Sequence, residues 1–520
     1  MSPTVRITLL RRLARRAPLR FGPRLAEALI TRSQHVGSRW TAAATARRTA
    51  AADEAVALYR RLDERQPGRH RTGLARALVA QAAVPDERTA ASATAQCREA
   101  IGYLEDVTDR AALLVLAEAR RLAAVNLHSC GAAREALPLA LGARAIWRRL
   151  GPRSANERVR SALTLGVIGD CQATLGRPDE ALAVRQEAMA RHRALHLLRR
   201  ARFAPAGHQL AIGLAESLVA VGRHGEALPL LTEVCGELGS ALWLRLHPPS
   251  RPRLGRALGI LARCQDALGD PERACRTAEE AVGHWRVTVA GGPPGRAGGL
   301  ADALLTLAAL LTRAGRRDEA LDRLAEAVEL ARDVNHHVSA RALLALAELR
   351  IAAGDPASAA APAAQAVALC RAYAEQLPEV WWPRLVRALA VTRAVAAAEP
   401  GLAAGREAVE LARRLAGADP RYRDLLADSL VELGRAVDGA GDPLGASDLL
   451  REGVAVRRDL FTGDPATHRL PLARALSDLA ALLARLGRQH EADRTAAEAE
   501  AVRSAGTGPG ASTPDEPHAA

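Results

Sequence analysis

One glycine context recurs along this chain at nearly constant spacing, and that period constrains the fold more than any other feature. It reads CGAAREAL at Gly131, LGRPDEAL at Gly176, VGRHGEAL at Gly222, LGDPERAC at Gly269, AGRRDEAL at Gly315, AGDPASAA at Gly354, AGDPLGAS at Gly441 and LGRQHEAD at Gly487. The steps are 45, 46, 47, 46, 39, 87 and 46 residues; the long one holds two units, with a degenerate copy, GREAVELARRL, at 405–415. Five residues past each glycine stands Ala136, Ala181, Ala227, Ala274, Ala320, Ala359, Ala446 or Ala492. Twelve past it come Ala143, Ala188, Ala281, Ala327, Ala366, Gly453 and Ala499, with Val234 the exception. A period of this size means stacked units, each too small to bury its apolar face alone.

The unit reads as a helical hairpin. Ala320, Leu321, Leu324, Ala327, Val328 and Ala331 fall on one stripe of a 3.6-residue helix with Asp, Glu and Arg opposite, and Ala303, Leu304, Leu307, Ala308 and Leu311 mark a helix before it. Gly315 is placed to end that first helix in the left-handed region, and Asp318 or Glu319 suits the positive end of the second. Alanine at fixed points lets the helices approach closely. Ala, Leu and Arg dominate and aromatics are 2%, so an all-α protein is expected. Pro67, Pro378 and Pro465 each stand eleven residues before a leucine (Leu78, Leu389, Leu476), in linkers that stop one helix and start the next.

This pattern resembles the tetratricopeptide repeat, whose small residues flank a glycine-containing turn at the same relative places. Gly169, Ala308, Ala347, Gly434 and Ala480, each seven before the turn glycine, match its small residue in the first helix. The unit is longer than that family's usual one and is similar to kinesin light chain-type repeats and to arrays of high-GC bacteria, for which DEAVALYRRL at 53–62 is typical. The resemblance implies a right-handed α-solenoid superhelix of about nine or ten hairpins over residues 40–503. Residues 1–39 are then a basic leader or cap, and 504–520, rich in Gly, Pro and Ser, a disordered tail.

The family also implies a concave groove lined by the first helices. Its groove-lining places fall here on Asp170, Glu216, Arg256, Arg263, Asp266, Asp302, Arg313, Arg341, Glu348, Asp428, Arg435, Asp438, Arg474 and Arg485. That mixture suits a peptide or protein segment of either sign. The Lys and Asn of a terminal-carboxylate clamp are missing from these positions. Trp381 and Trp382 stand out in an aromatic-poor chain, as an exposed platform or, by repeat register, as the filler of a linker position held elsewhere by His70, Tyr422 or His468.

Chemistry is harder to find. There is no lysine at all among the 72 basic residues, which removes P-loop, Schiff-base and protein-kinase chemistry. His192 and His196 are spaced to share a metal, but Arg193 lies between them and no third ligand is near. His336 and His337 read as a solvated turn. Seven cysteines without a C-x-x-C pair fit reduced core residues. No catalytic, metal or cofactor residues are therefore expected, and the expected setting is cytoplasmic, with neither an apolar leader nor a spanning segment. The expected function is a non-enzymatic interaction scaffold or regulatory adaptor. Net charge is +14, and residues 1–50 hold eleven Arg against Glu27 alone, so a second reading is a regulator that touches nucleic acid or an anionic surface through this segment.

Overall fold

Each recurring glycine ends a helix because it alone takes up the required backbone without strain. In the computed structural model, Gly131, Gly176, Gly222, Gly269, Gly315, Gly354, Gly441 and Gly487 have φ between 72° and 89°. The same two bonds close every one of these turns: at Gly315 its N–H donates to the Thr312 carbonyl (3.1 Å) and the Arg316 N–H to that of Leu311 (2.9 Å). This Schellman pairing satisfies carbonyls that the helix end leaves open. Two residues on, Pro178, Pro271, Pro356 and Pro443 open the next helix, where a missing N–H costs nothing.

The structure describes residues 3–34, 42–83, 90–195, 203–240, 244, 250–290, 297–332, 336–375, 377–396 and 398–504. Among them no strand occurs. They fall into two compact units, 1–334 and 335–520, and each is a stack of antiparallel helical hairpins.

In the first unit, α1 (Pro3–Arg16) precedes the hairpins α2 (Pro18–Gln34)/α3 (Ala42–Arg65) and α4 (Arg71–Ala82)/α5 (Ala90–Gly102). Then come α6 (Arg110–Ser129)/α7 (Ala133–Leu150), α8 (Ala155–Thr174)/α9 (Pro178–Arg193), α10 (Ala204–Ala220)/α11 (His224–Gly239), α12 (Arg251–Ala267)/α13 (Pro271–Ala290) and α14 (Ala297–Arg313)/α15 (Arg317–Ala331). The second unit holds α16 (His336–Ala352)/α17 (Pro356–Ala374), α18 (Pro378–Val395)/α19 (Ala398–Ala418), α20 (Arg423–Gly439)/α21 (Pro443–Gly463) and α22 (Pro465–Arg485)/α23 (Gln489–Ser504). Ten hairpins thus run from α4 to α23 among the described residues, and α2/α3 adds another. The leader's Ile7, Leu25, Leu29 and Ile30 share a core with Val56, Leu74, Leu78 and Trp147. The expected tail, 504–520, lies outside the described residues apart from Ser504.

The periodic alanines are the points of closest approach. Ala136, Ala181, Ala227, Ala274, Ala320, Ala359 and Ala446 are fully buried, as are Ala143, Ala188, Ala281, Ala327 and Ala366. Leu78, Leu389 and Leu476, set by the proline linkers, are equally deep.

Two aromatic expectations change. Trp381 is 3% exposed, so it is no surface platform. Its ring stacks on His337 (centroids 4.5 Å) and Tyr373 (5.2 Å), and His336 stacks on Tyr373 (4.7 Å). His336 and His337 accordingly begin α16 rather than forming a solvated turn, because the aromatic faces give them an apolar surface to cover. Trp382 is partly buried.

Candidate functional site

The residues expected along the groove all lie on first helices of hairpins. In the first unit these are α8 (Asp170), α10 (Glu216), α12 (Arg256, Arg263, Asp266) and α14 (Asp302, Arg313). In the second they are α16 (Arg341, Glu348), α20 (Asp428, Arg435, Asp438) and α22 (Arg474, Arg485). Most of them, however, already face an opposite charge from the neighbouring hairpin. Arg256 grips Glu216 through two bonds of 2.6 Å. Arg313 meets Asp266 at 2.5 Å, Arg387 takes Glu348 at 2.7 and 2.9 Å, Arg435 meets Asp478 at 2.5 Å, and Arg485 pairs with Asp438.

Second helices are laced in the same way, by Arg60–Glu99, Arg98–Glu135, Arg144–Glu187, Arg286–Glu326, Arg371–Glu407, Arg413–Glu452 and Arg458–Glu498. Each partner sits about one repeat further along. Arginine suits this role because its planar fork takes a carboxylate with two parallel bonds. Arg263 and Arg474 differ: both are exposed, and no carboxylate among the described residues pairs with either.

The network deepens at one place in the first unit. A recess of about 420 Å³ is lined by His128 of α6, Asp170 and Thr174 of α8, Glu216 and Ser217 of α10, and Arg256 of α12, with Ala173 and Ala220 on its walls. Its floor is Arg185, which comes from the second helix α9 and is 4% exposed. Its Nη1 donates to the Gly213 carbonyl and Ser217 Oγ, both at 2.8 Å, and its Nη2 to Asp170, with Glu216 at 3.9 Å. Glycine at 169 makes this possible: a methyl group there would stand 2.6 Å from the Arg185 Cγ. The small residue at 169 therefore lets an arginine pass between first helices into the groove.

The recess has two guanidinium groups against two carboxylates, and Glu216, followed by Asp170 and Asp302, raises the Arg256 guanidinium above its ordinary value. His128 Nε2 lies 2.9 Å from Thr174 Oγ1. Such a balanced set can exchange hydrogen bonds with both the N–H and C=O groups of an extended backbone.

A second buried arginine, Arg457 of α21, crosses to Asp424 and Asp428 of α20. Burial raises the Asp428 carboxyl, with Arg457 opposing. Neither Arg185 nor Arg457 is marked by the repeat register; for Arg185 the small residue Gly169 is the signal. Of the histidine pair, His192 is buried against the Phe203 carbonyl (3.4 Å) and His196 lies outside the described residues. Among the described residues no cluster of three His, Cys, Asp or Glu could hold a metal, and no helix is long and apolar enough to cross a membrane.

The fold is thus an α-solenoid of helical hairpins whose first helices are laced together by charge. Residues 299–372, from α14 to α17, match the sequence profile of the tetratricopeptide repeat. Residues 299–372 thus carry the tetratricopeptide repeat, and other hairpins share its glycine turn. No protein of curated function matches the chain in sequence. Among solved structures it is similar to a Rap protein complexed with competence and sporulation factor, at 11% identity over 81% of this chain and 99% of that one, with a TM-score of 0.47. The apo form of the quorum sensor NprR from B. thuringiensis aligns at 12% identity over 79% and 94%, TM-score 0.44. A kinesin light chain-type protein from Podospora anserina with nearly identical repeats aligns at 21% over 41% and 92%, TM-score 0.31.

Proposed function

We propose that this protein is a non-enzymatic interaction scaffold, or regulatory adaptor, that holds an extended peptide or protein segment along the first helices of its first unit. The observation that supports this reading is the recess over Arg185, where side chains from α6, α8, α10 and α12 converge on one opening. A pre-formed concavity with few, convergent polar groups is where a ligand gains most. Its lining side chains are carried mainly on packed helices, so little backbone ordering is needed on binding.

The segment lies across α8, α10 and α12, with backbone groups on Thr174 and Ser217 and an acidic side chain on the unpaired Arg263. The test uses the full chain and a plugged version, Ala173→Trp/Ala220→Trp, whose substitutions fill the exposed wall of the recess. Peptides selected from a random display library on the full chain are titrated against both. Binding weakened at least tenfold by the plug, and severalfold by Arg263→Glu, with unchanged helicity, is the expected result. Selected peptides that bind both proteins equally, or a library that yields none, would remove the recess as the site.

A further inference from the structure

Many arginines of this molecule pair with a carboxylate on a neighbouring hairpin, and the outward face of α1 and α2 carries six that do not. Arg6, Arg12, Arg15, Arg16, Arg20 and Arg24 are all exposed, and none is joined to a carboxylate among the described residues. Arg11 is the exception that fixes the orientation, since it grips Glu54 of α3 at 2.9 and 2.5 Å. The sole acid of the two helices, Glu27, is already held by Arg76 and Tyr59.

The apolar residues of α1 are split between two faces. Ile7, Leu10 and Ala14, at i, i+3 and i+7, face the core. Val5, Leu9, Arg12 and Arg16, at i, i+4, i+7 and i+11, form the opposite stripe. Val5 and Leu9 are 55% and 47% exposed, and Leu19 at the start of α2 is 46% exposed. Beside it Phe21 is flanked by the guanidinium groups of Arg20 (5.4 Å) and Arg24 (5.9 Å).

We infer that this face docks onto an anionic lipid bilayer surface, lying flat with its arginines among the phosphates and Val5, Leu9 and Leu19 at the acyl boundary. The inference is independent of the groove. Arginine stems lie along apolar surface while the guanidinium reaches phosphate, so the mixed stripe suits the headgroup region, and charge and apolar contact supply the two signals that stable surface binding takes. A nucleic acid backbone would use the arginines but has nothing for exposed leucine and valine. A second copy of the same face would meet like charge.

The test is co-sedimentation of the full chain with phosphatidylglycerol–phosphatidylcholine vesicles and with phosphatidylcholine vesicles alone, beside titration of a random duplex DNA. Expected are binding to the anionic vesicles only, its loss by about 0.5 M salt, and a drop of roughly fivefold for each arginine removed in Arg12→Gln/Arg16→Gln. Leu9→Gln/Leu19→Gln should lower vesicle binding severalfold while retaining helicity and the salt dependence. Absence of binding to anionic vesicles, equal binding to neutral ones, or indifference to the leucine substitutions would overturn the inference. So would DNA binding tighter than vesicle binding and unchanged by the leucine substitutions.

Discussion

Replacing Gly315 by alanine separates two opposing effects of known sign. In an ordinary helical position alanine is the better residue by about 1 kcal/mol, because glycine loses more backbone freedom on folding. At Gly315 φ is 80°, where an added Cβ costs roughly 1–2 kcal/mol. A Cβ built there meets nothing within 4 Å, so the penalty is backbone strain alone and no side chain has to move. Strain should win, and Gly315→Ala should destabilise the first unit by about 1 kcal/mol, with Gly315→Asn losing less because asparagine tolerates this region. Urea titration of the full chain gives the sign. Amide exchange gives the place: protection should fall at Gly315 and Arg316, whose N–H groups close the turn on Thr312 and Leu311. A more stable Gly315→Ala, or an asparagine variant as damaged as the alanine one, would refute the assignment of these glycines to a conformational role.

Two further outcomes follow from buried groups. Trp381→Ala removes a ring that is 3% exposed and stacked on His337 and Tyr373, and should cost about 3–5 kcal/mol with loss of near-ultraviolet circular dichroism, whereas the partly buried Trp382 should cost clearly less; equal losses would contradict the stacking. Glu118 is bidentate to Arg121 at 2.7 and 3.0 Å; burial raises its carboxyl, but Arg121 and Arg160 together outweigh this and hold it at about 2. A carboxyl depressed on folding stabilises above its unfolded value, and that contribution is lost as pH falls from about 4.5 toward about 2. Glu118→Gln should therefore destabilise the protein by about 1–3 kcal/mol at neutral pH and flatten the acid limb of its urea stability profile; an unchanged limb would show that the pair carries no linkage.

What the sequence made legible is what sterics impose one residue at a time. Gly315 and its seven counterparts announce a left-handed backbone, and Ala320 and its counterparts announce close approach, so period, hairpin and helix order all follow. Pairwise features were harder to read. The partner of Glu348 is Arg387, one repeat on, and only comparing the same place in successive units reveals the complementarity. Arg185 lies on a second helix, outside the expected groove set, and reaches the first helices because Gly169 leaves it room. The sequence leaves Trp381 open between a platform and a linker filler, because its cover, His337 and Tyr373, comes from the preceding hairpin.

The cross-repeat pairs also decide how selectivity can arise in such a groove. Exposed ion pairs contribute little each, about 0.2–1 kcal/mol, but they fix the charge that an incoming segment meets. A ligand carboxylate approaching Arg387 or Arg435 must displace Glu348 or Asp478, exchanging one pair for another at almost no net gain. The same carboxylate approaching Arg263 or Arg474 displaces only water. In the recess, Arg185 is fixed by Asp170, Ser217 and the Gly213 carbonyl, so it shapes the floor more than it attracts charge. Under the proposed function, selectivity would then rest on the few unpaired groups and on the shape of the recess, with overall charge matching contributing little.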